Sequence, residues 1–223
     1  RPVLVRTGPD GALWVVDMYR YLIEHPDWLP AEAREELKPY YRAGESFGRI
    51  YRIYPKGSAR PPLPGPSAET IDGLVAQLVS SNGVLRDKAQ QQLVTNQARD
   101  AVPALRQLLR QHEQATARLH ALATLSGVSR VSHDDIIVAL NDPHPAVRCL
   151  ALRLLESFPE NNELIRAAGR LQDDPELKVQ LQLACSLGEY PGDLAGQILR
   201  QMIERVEEET IVLALTSSFQ QHF

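Results

Sequence analysis

The spacing of apolar residues changes partway along the chain. Beyond residue 67 they recur at helical intervals, as in Ile71, Leu74, Val75 and Leu78 or Leu194, Ile198, Leu199 and Met202, which is the signature of amphipathic helices. Stop and start signals cut this stretch into ten short helices, taken in pairs: Asn82-Gly83, Gly127, the box Ser132 to Asp135, Asp142-Pro143, Pro159, Asp174-Pro175, Gly188, and Pro191 to Asp193. Before residue 57 the pattern is that of strands. Residues 2–7 and 12–17 flank Gly8-Pro9-Asp10-Gly11, a hairpin turn because Asp-Gly supplies the positive-φ position such turns need. An insertion over Met18–Ser46 holds a helix near Ala31–Tyr40, and Phe47–Tyr54 reads as a third strand. Three short strands alone are marginally stable, so they read as the last part of a larger β structure.

Within the helical stretch every second helix carries an equivalent apolar anchor: Leu93, Leu125, Leu155, Leu187 and Phe219, spaced by 32, 30, 32 and 32 residues. Four positions before them stand Ala89, Ala121, Ala151, Leu183 and Leu215, mostly small, where two helices of a hairpin approach closely. Seven positions before them stand Arg86, Arg118 and Arg148, and Asp142 and Asp174 each precede their own anchor by 13. A hairpin of about 30 residues cannot bury a core alone, so neighbours must stack into a curved α-α superhelix. The pattern resembles short HEAT repeats of the bilin-lyase type, best in "NDPHPAVRCLALRLLES" at 141–157, and lacks the tetratricopeptide and ankyrin signatures. In the fifth repeat Val212 replaces the arginine, so this repeat reads as an end cap or as the point where the array is cut.

Composition sharpens the division. Ten of the 16 prolines and nine of the 13 aromatic residues lie in the first 66 positions, and residues 57–66 form a Pro-rich linker. The organisation expected is therefore a β segment over 1–56, that linker, and a helical domain of about five hairpins over 67–223. A net charge of -4, with 20 acidic against 14 basic residues after position 66, argues against a nucleic-acid groove. No run of about 18 apolar residues is present to span a membrane. Cys149 and Cys185 stand too far apart for a zinc or haem-attachment motif and are expected as buried thiols, leaving the redox compartment open. The chain starts on Arg1 in apolar alternating sequence and reads as a fragment or processed piece.

The string "GPDGALWVVDMYRYLIEHPDWLP" (8–30), then "GRIYRIYPKG" (48–57), the Pro-rich strap and the repeats together resemble the membrane-bound dehydrogenases, or haem-binding multidomain proteins, of planctomycetes and verrucomicrobia. Those join a glucose/sorbosone-dehydrogenase-like β-propeller to a HEAT array and a c-type cytochrome. The resemblance implies a last propeller blade in residues 1–56, a HEAT-like solenoid after it, and a periplasmic or membrane-associated setting. It also implies haem c and a quinone cofactor or Ca²⁺ elsewhere in the parent protein, with no cofactor assigned to this piece and no catalytic residue carried over.

Two local features have chemical content. The segment after the second strand gathers Asp17, Tyr19, Arg20, Glu24 and His25. It reads either as a loop tied down by hydrogen bonds and aromatic packing, or as part of a pocket for a quinone cofactor or Ca²⁺. The in-register Arg86, Arg118 and Arg148 read either as an internal ladder with Asp142, Asp174 or turn carbonyls, or as a basic row for an acidic partner. His112, His120, His133 and His144 form no helical pair suited to metal binding. A non-catalytic interaction scaffold, binding a partner protein or neighbouring domains of its parent, is the function expected of this chain. The alternative is membership of the catalytic unit through the 17–28 loop; a HEAT-containing lyase would rest on fold analogy alone.

Overall fold

A computed structural model describes residues 2–23, 25–57, 70–158, 161–190 and 192–219. Glu24, Pro159, Pro191 and nearly all of the 57–66 linker lie outside the described residues. The chain divides into two compact units, Arg1–Ser67 and Ala68–Phe223.

The first unit is an antiparallel meander of β1 (Pro2–Thr7), β2 (Leu13–Asp17) and β3 (Arg49–Ile53), in the order β1-β2-β3. Gly11 at φ 77° makes the first turn, and Gly8 N–H donates to the Ala12 carbonyl at 2.8 Å. Between β2 and β3 lie helix α1 (Ala31–Leu37) and two short 3-10 turns, Pro26–Trp28 and Lys38–Tyr40. The register sets Val5 beside Val15 and Tyr51, and Thr7 beside Leu13 and Ile53, on one face; Leu4, Val16 and Ile50 share the other. Much of this apolar surface is open, with Val5 53% and Ile50 63% exposed.

The second unit is a stack of helical hairpins. Its ten α-helices among the described residues are α2 (Ile71–Gln77), α3 (Gly83–Thr95), α4 (Val102–Gln111), α5 (Ala115–Gly127), α6 (His133–Leu140), α7 (Pro145–Leu155), α8 (Asn162–Gly169), α9 (Leu177–Gly188), α10 (Asp193–Ile203) and α11 (Glu209–Phe219). Their starts are set by local chemistry. Thr70 and Asn82 side chains accept backbone N–H groups at the entries to α2 and α3, Ser132 and Asp135 close a capping box on α6, and Pro145 occupies the first turn of α7. The helices pack in pairs, α2 on α3 through to α10 on α11. One layer then runs α3, α5, α7, α9, α11, each touching the next, and α4, α6, α8 and α10 form the other. This two-layer repetition is a solenoid-like arrangement.

The anchors Leu93, Leu125, Leu155 and Leu187 are fully buried, as are Ala89, Ala121, Ala151, Leu183 and Leu215 one turn before each anchor position. Close approach is also marked by Gly188, where an added Cβ would come within 3.1 Å of the Ser218 backbone. The cysteines differ from the expectation of burial: Cys149 is half-buried and Cys185 exposed. Cys149 packs against the core and directs its Sγ at the Lys178 carbonyl of α9, 3.6 Å away, while Cys185 lies at the surface. Among the described residues no helix is long and apolar enough to cross a membrane.

Candidate functional site

In the first unit the end of β2 organises a small cavity. Asp17, buried at the strand end, accepts from Arg49 Nη2 at 2.9 Å and from Tyr19 N–H at 3.2 Å. That second bond holds Tyr19 at φ 55°, a conformation non-glycine residues seldom adopt without such support. The Arg49 guanidinium lies 3.8 Å above the Tyr19 ring and 5.3 Å from that of Tyr51, geometry suited to cation–π attraction. Arg20 donates through Nη2 to the Tyr41 carbonyl at 3.0 Å, while its Nε is buried without a hydrogen-bond partner among the described residues. Gly44, at φ 81°, brings the 41–46 turn so close that a Cβ there would lie 2.0 Å from the Tyr19 carbonyl oxygen. The resulting cavity, of about 370 Å³, is lined by Tyr19, Arg20, Tyr21, Ala43, Gly44 and Arg49.

Asp17, Tyr19 and Arg20 are thus brought together, and His25 is not. The His25 side chain is 59% exposed, its Nδ1 accepts from Asp27 N–H, and its ring faces Trp28 on the surface. Arg49 and Gly44 were missed from sequence. The signal for Arg49 was its pairing opposite Asp17 in the β2–β3 register, which requires the length of the insertion to be known. Charge decides what the cavity suits. Two guanidinium groups line it and the nearby carboxylate is already engaged by Arg49, so the residues fit an anionic group and do not fit Ca²⁺.

A second polar cluster anchors the β1–β2 turn. Asp10 accepts from Trp14 Nε1 at 2.9 Å, from Ala12 N–H at 3.3 Å and from Arg52. Burial pushes the Asp10 carboxyl up, but the bonds from Arg52, Trp14 and Ala12 outweigh it and hold the pKa at about 2. A carboxylate depressed in this way stabilises the fold above its ordinary pKa near 3.8, and the contribution is lost as pH falls towards 2. Both tryptophans of the chain, Trp14 and Trp28, lie in the first unit. An acid titration of tryptophan emission should therefore show a step between about pH 4 and 2 that is smaller in Asp10→Asn, Asp17 of the same unit being held at about 2 as well. The same step in both proteins would refute the assignment.

In the solenoid the in-register arginines make one repeated arrangement. Arg118 forks onto Asp142, with Nε–Oδ2 2.6 Å and Nη2–Oδ1 2.7 Å, and its Nη1 donates to the His112 and Glu113 carbonyls. Arg148 forks onto Asp174 at 2.8 Å for both bonds, and its Nη1 donates to the carbonyls of Asp142 and Pro143. Each arginine therefore ties its own turn to the turn of the next hairpin. Both guanidinium groups are buried, so they form no exposed basic row. Arg86 Nη1 donates to the Ser80 and Ser81 carbonyls in the same way, but the residue in register with Asp142 one repeat earlier is His112. The turn residue keeps a second role in the first four repeats. Ser80, His112, Asp142 and Asp174 each accept, through the side chain, the N–H two residues on, a local turn that starts the next helix.

Asp135, fully buried, is held by Arg106 and Arg110 from the preceding hairpin as well as by Ser132. Sequence reasoning placed Asp135 only in its capping box. The 29-residue separation from Arg106 falls outside the register of the anchors and left no local trace.

Comparison with known proteins adds little to this geometry. Residues 1–57 match the model of a family described as a domain of unknown function, DUF7133. No curated protein matches the chain.

Proposed function

We propose that the helical unit is a HEAT-like, non-catalytic interaction scaffold, and that residues 1–56 are the last blade of a propeller in a periplasmic dehydrogenase whose c-type cytochrome lies elsewhere in the parent. The observation that carries the scaffold reading is the pair of buried forks, Arg118 on Asp142 and Arg148 on Asp174. They fix hairpin to hairpin by paired, directional bonds, as a surface that must present a constant spacing to a partner requires. The exposed apolar residues of the three-stranded sheet support its membership of a larger β structure. The chain has no CxxCH, so haem c has no attachment point here.

A second reading is favoured by the unpartnered Arg20 Nε beside the cavity at the end of β2. There Arg20 and Arg49 would hold an anionic quinone cofactor by charge and hydrogen bonds, with Tyr19 and Tyr21 packing against its ring, and the cofactor would supply the redox chemistry.

The test uses the purified chain. No dye reduction above a heat-killed control is expected with added quinone cofactor and Ca²⁺, together with saturable binding of the parent's adjoining cytochrome domain in calorimetry. Turnover, or no association with that domain, would overturn the scaffold reading.

A further inference from the structure

The ladder stops after two complete rungs, and the way it stops leaves a site. In register, the fourth rung should join an arginine at position 180 to an aspartate at position 206. Both are replaced together, by Gln180, seven residues before Leu187, and by Val206, thirteen before Phe219. Gln180 keeps half of the arginine's work, donating through Nε2 to the Asp174 carbonyl at 2.8 Å, the counterpart of the bond from Arg148 to Asp142. It has no second arm to reach the next turn. Where the fork and its carboxylate would lie there is a cavity of about 240 Å³, whose lining includes Gln180, Val206, Leu177 and Met202.

Three features of that cavity specify what could enter it. Gln172, another lining residue, has its Oε1 buried with no hydrogen-bond donor among the described residues, an unmet acceptor that ordinarily costs free energy. Asp173, Glu207 and Glu208 also line the cavity, with Arg205 the one cationic residue there among the described residues, and Arg205 lies 3.7 Å from Asp173. The potential is thus negative and the missing partner is a donor. The volume is below the roughly 300–1,000 Å³ of pockets for drug-sized ligands and suits a single side chain. At the two complete rungs the group that fills the corresponding place is a guanidinium. Its planar fork meets carboxylates and carbonyls at once, which an ammonium point charge does not.

We propose that this cavity, at the vacant fourth rung of the ladder between Gln180 and Val206, binds the guanidinium of an arginine side chain presented by a partner polypeptide. The inference names the chemistry of one contact on the proposed scaffold but is tested without the parent's other domains, so the two readings fail separately.

The experiment titrates the full chain with acetyl-Ala-Arg-Ala-amide and follows backbone amide shifts. Saturable shifts at Gln172, Gln180 and Val206 are expected, about tenfold weaker binding of the Lys peptide, and none of the citrulline peptide, which keeps the shape but loses the charge. Gln180→Arg with Val206→Asp builds the missing rung; it should abolish binding and raise Tm. If that variant does not fold, Glu207→Gln with Glu208→Gln should weaken binding about fivefold with helix content unchanged. Equal binding of the Arg and Lys peptides, or binding that survives both pairs of substitutions, would overturn the proposal. If free L-arginine binds as tightly as the peptide, the site takes a small molecule and the polypeptide assignment falls.

Discussion

Asp142→Ala should destabilise the helical unit by about 3–5 kcal/mol, the range for removing one partner of a buried ion pair. The size follows from what is left behind. The Arg118 side chain is only 10% exposed and cannot turn to water, yet it would lose both bonds of its fork while Nη1 stayed tethered to the His112 and Glu113 carbonyls. The same substitution removes the acceptor for His144 N–H at the entry to α7. For a unit of this size each kcal/mol shifts Tm by about 2–4 °C, so a fall of roughly 10 °C is expected. Circular dichroism at 222 nm with chemical denaturation measures it. Adding Arg118→Met should recover part of the loss, because the unpaired charge is then gone and the space is refilled by apolar atoms. A loss below about 1 kcal/mol, the range of exposed pairs, would show that this rung contributes no more than a surface contact.

Leu155→Ala is expected to cost about 2–5 kcal/mol through the cavity it leaves. Leu155 is fully buried on α7, the central helix of its layer, which packs against α5 on one side and α9 on the other. Stability in a stacked array is approximately a sum over repeats and their interfaces, so a void here weakens two interfaces at once. The Leu155 carbonyl also accepts from the Tyr190 hydroxyl, and that bond depends on α7 keeping its position. Leu213→Ala is the control: Leu213 is 65% exposed and should change stability by less than about 0.5 kcal/mol. Urea unfolding of the two variants checks this, and comparable midpoints would contradict the packing described.

The helical architecture was legible because it rests on short-range patterns repeated many times. Anchors every 30 or 32 residues define which face of each helix is apolar, and caps such as Asn82 and Ser132 mark where helices begin. Each is a local rule, and the repetition lets one repeat correct another. The ladder spacing was visible for the same reason, since Arg118 to Asp142 and Arg148 to Asp174 recur at fixed offsets from the anchors of successive repeats.

The cavity beside β2 was legible only in part. Asp17, Tyr19 and Arg20 are neighbours in sequence, and chain connectivity brings them together. Arg49 reaches the site across the 18–46 insertion, and Gly44 from within it, along a path no local rule sets, and His25 leaves it because the 3-10 turn at Pro26–Trp28 directs the chain to the surface.

What the sequence determined by itself, then, is the helical period, the caps and the register, because these depend on residues within a few turns of one another. Only the tertiary structure decided which polar groups are buried with partners and which positions are left with a void. Asp135 draws in two arginines from another hairpin, while Gln180 and Val206 leave unfilled a space that their equivalents fill. Burial and pairing are properties of surfaces in contact, and those surfaces exist only once the hairpins have stacked.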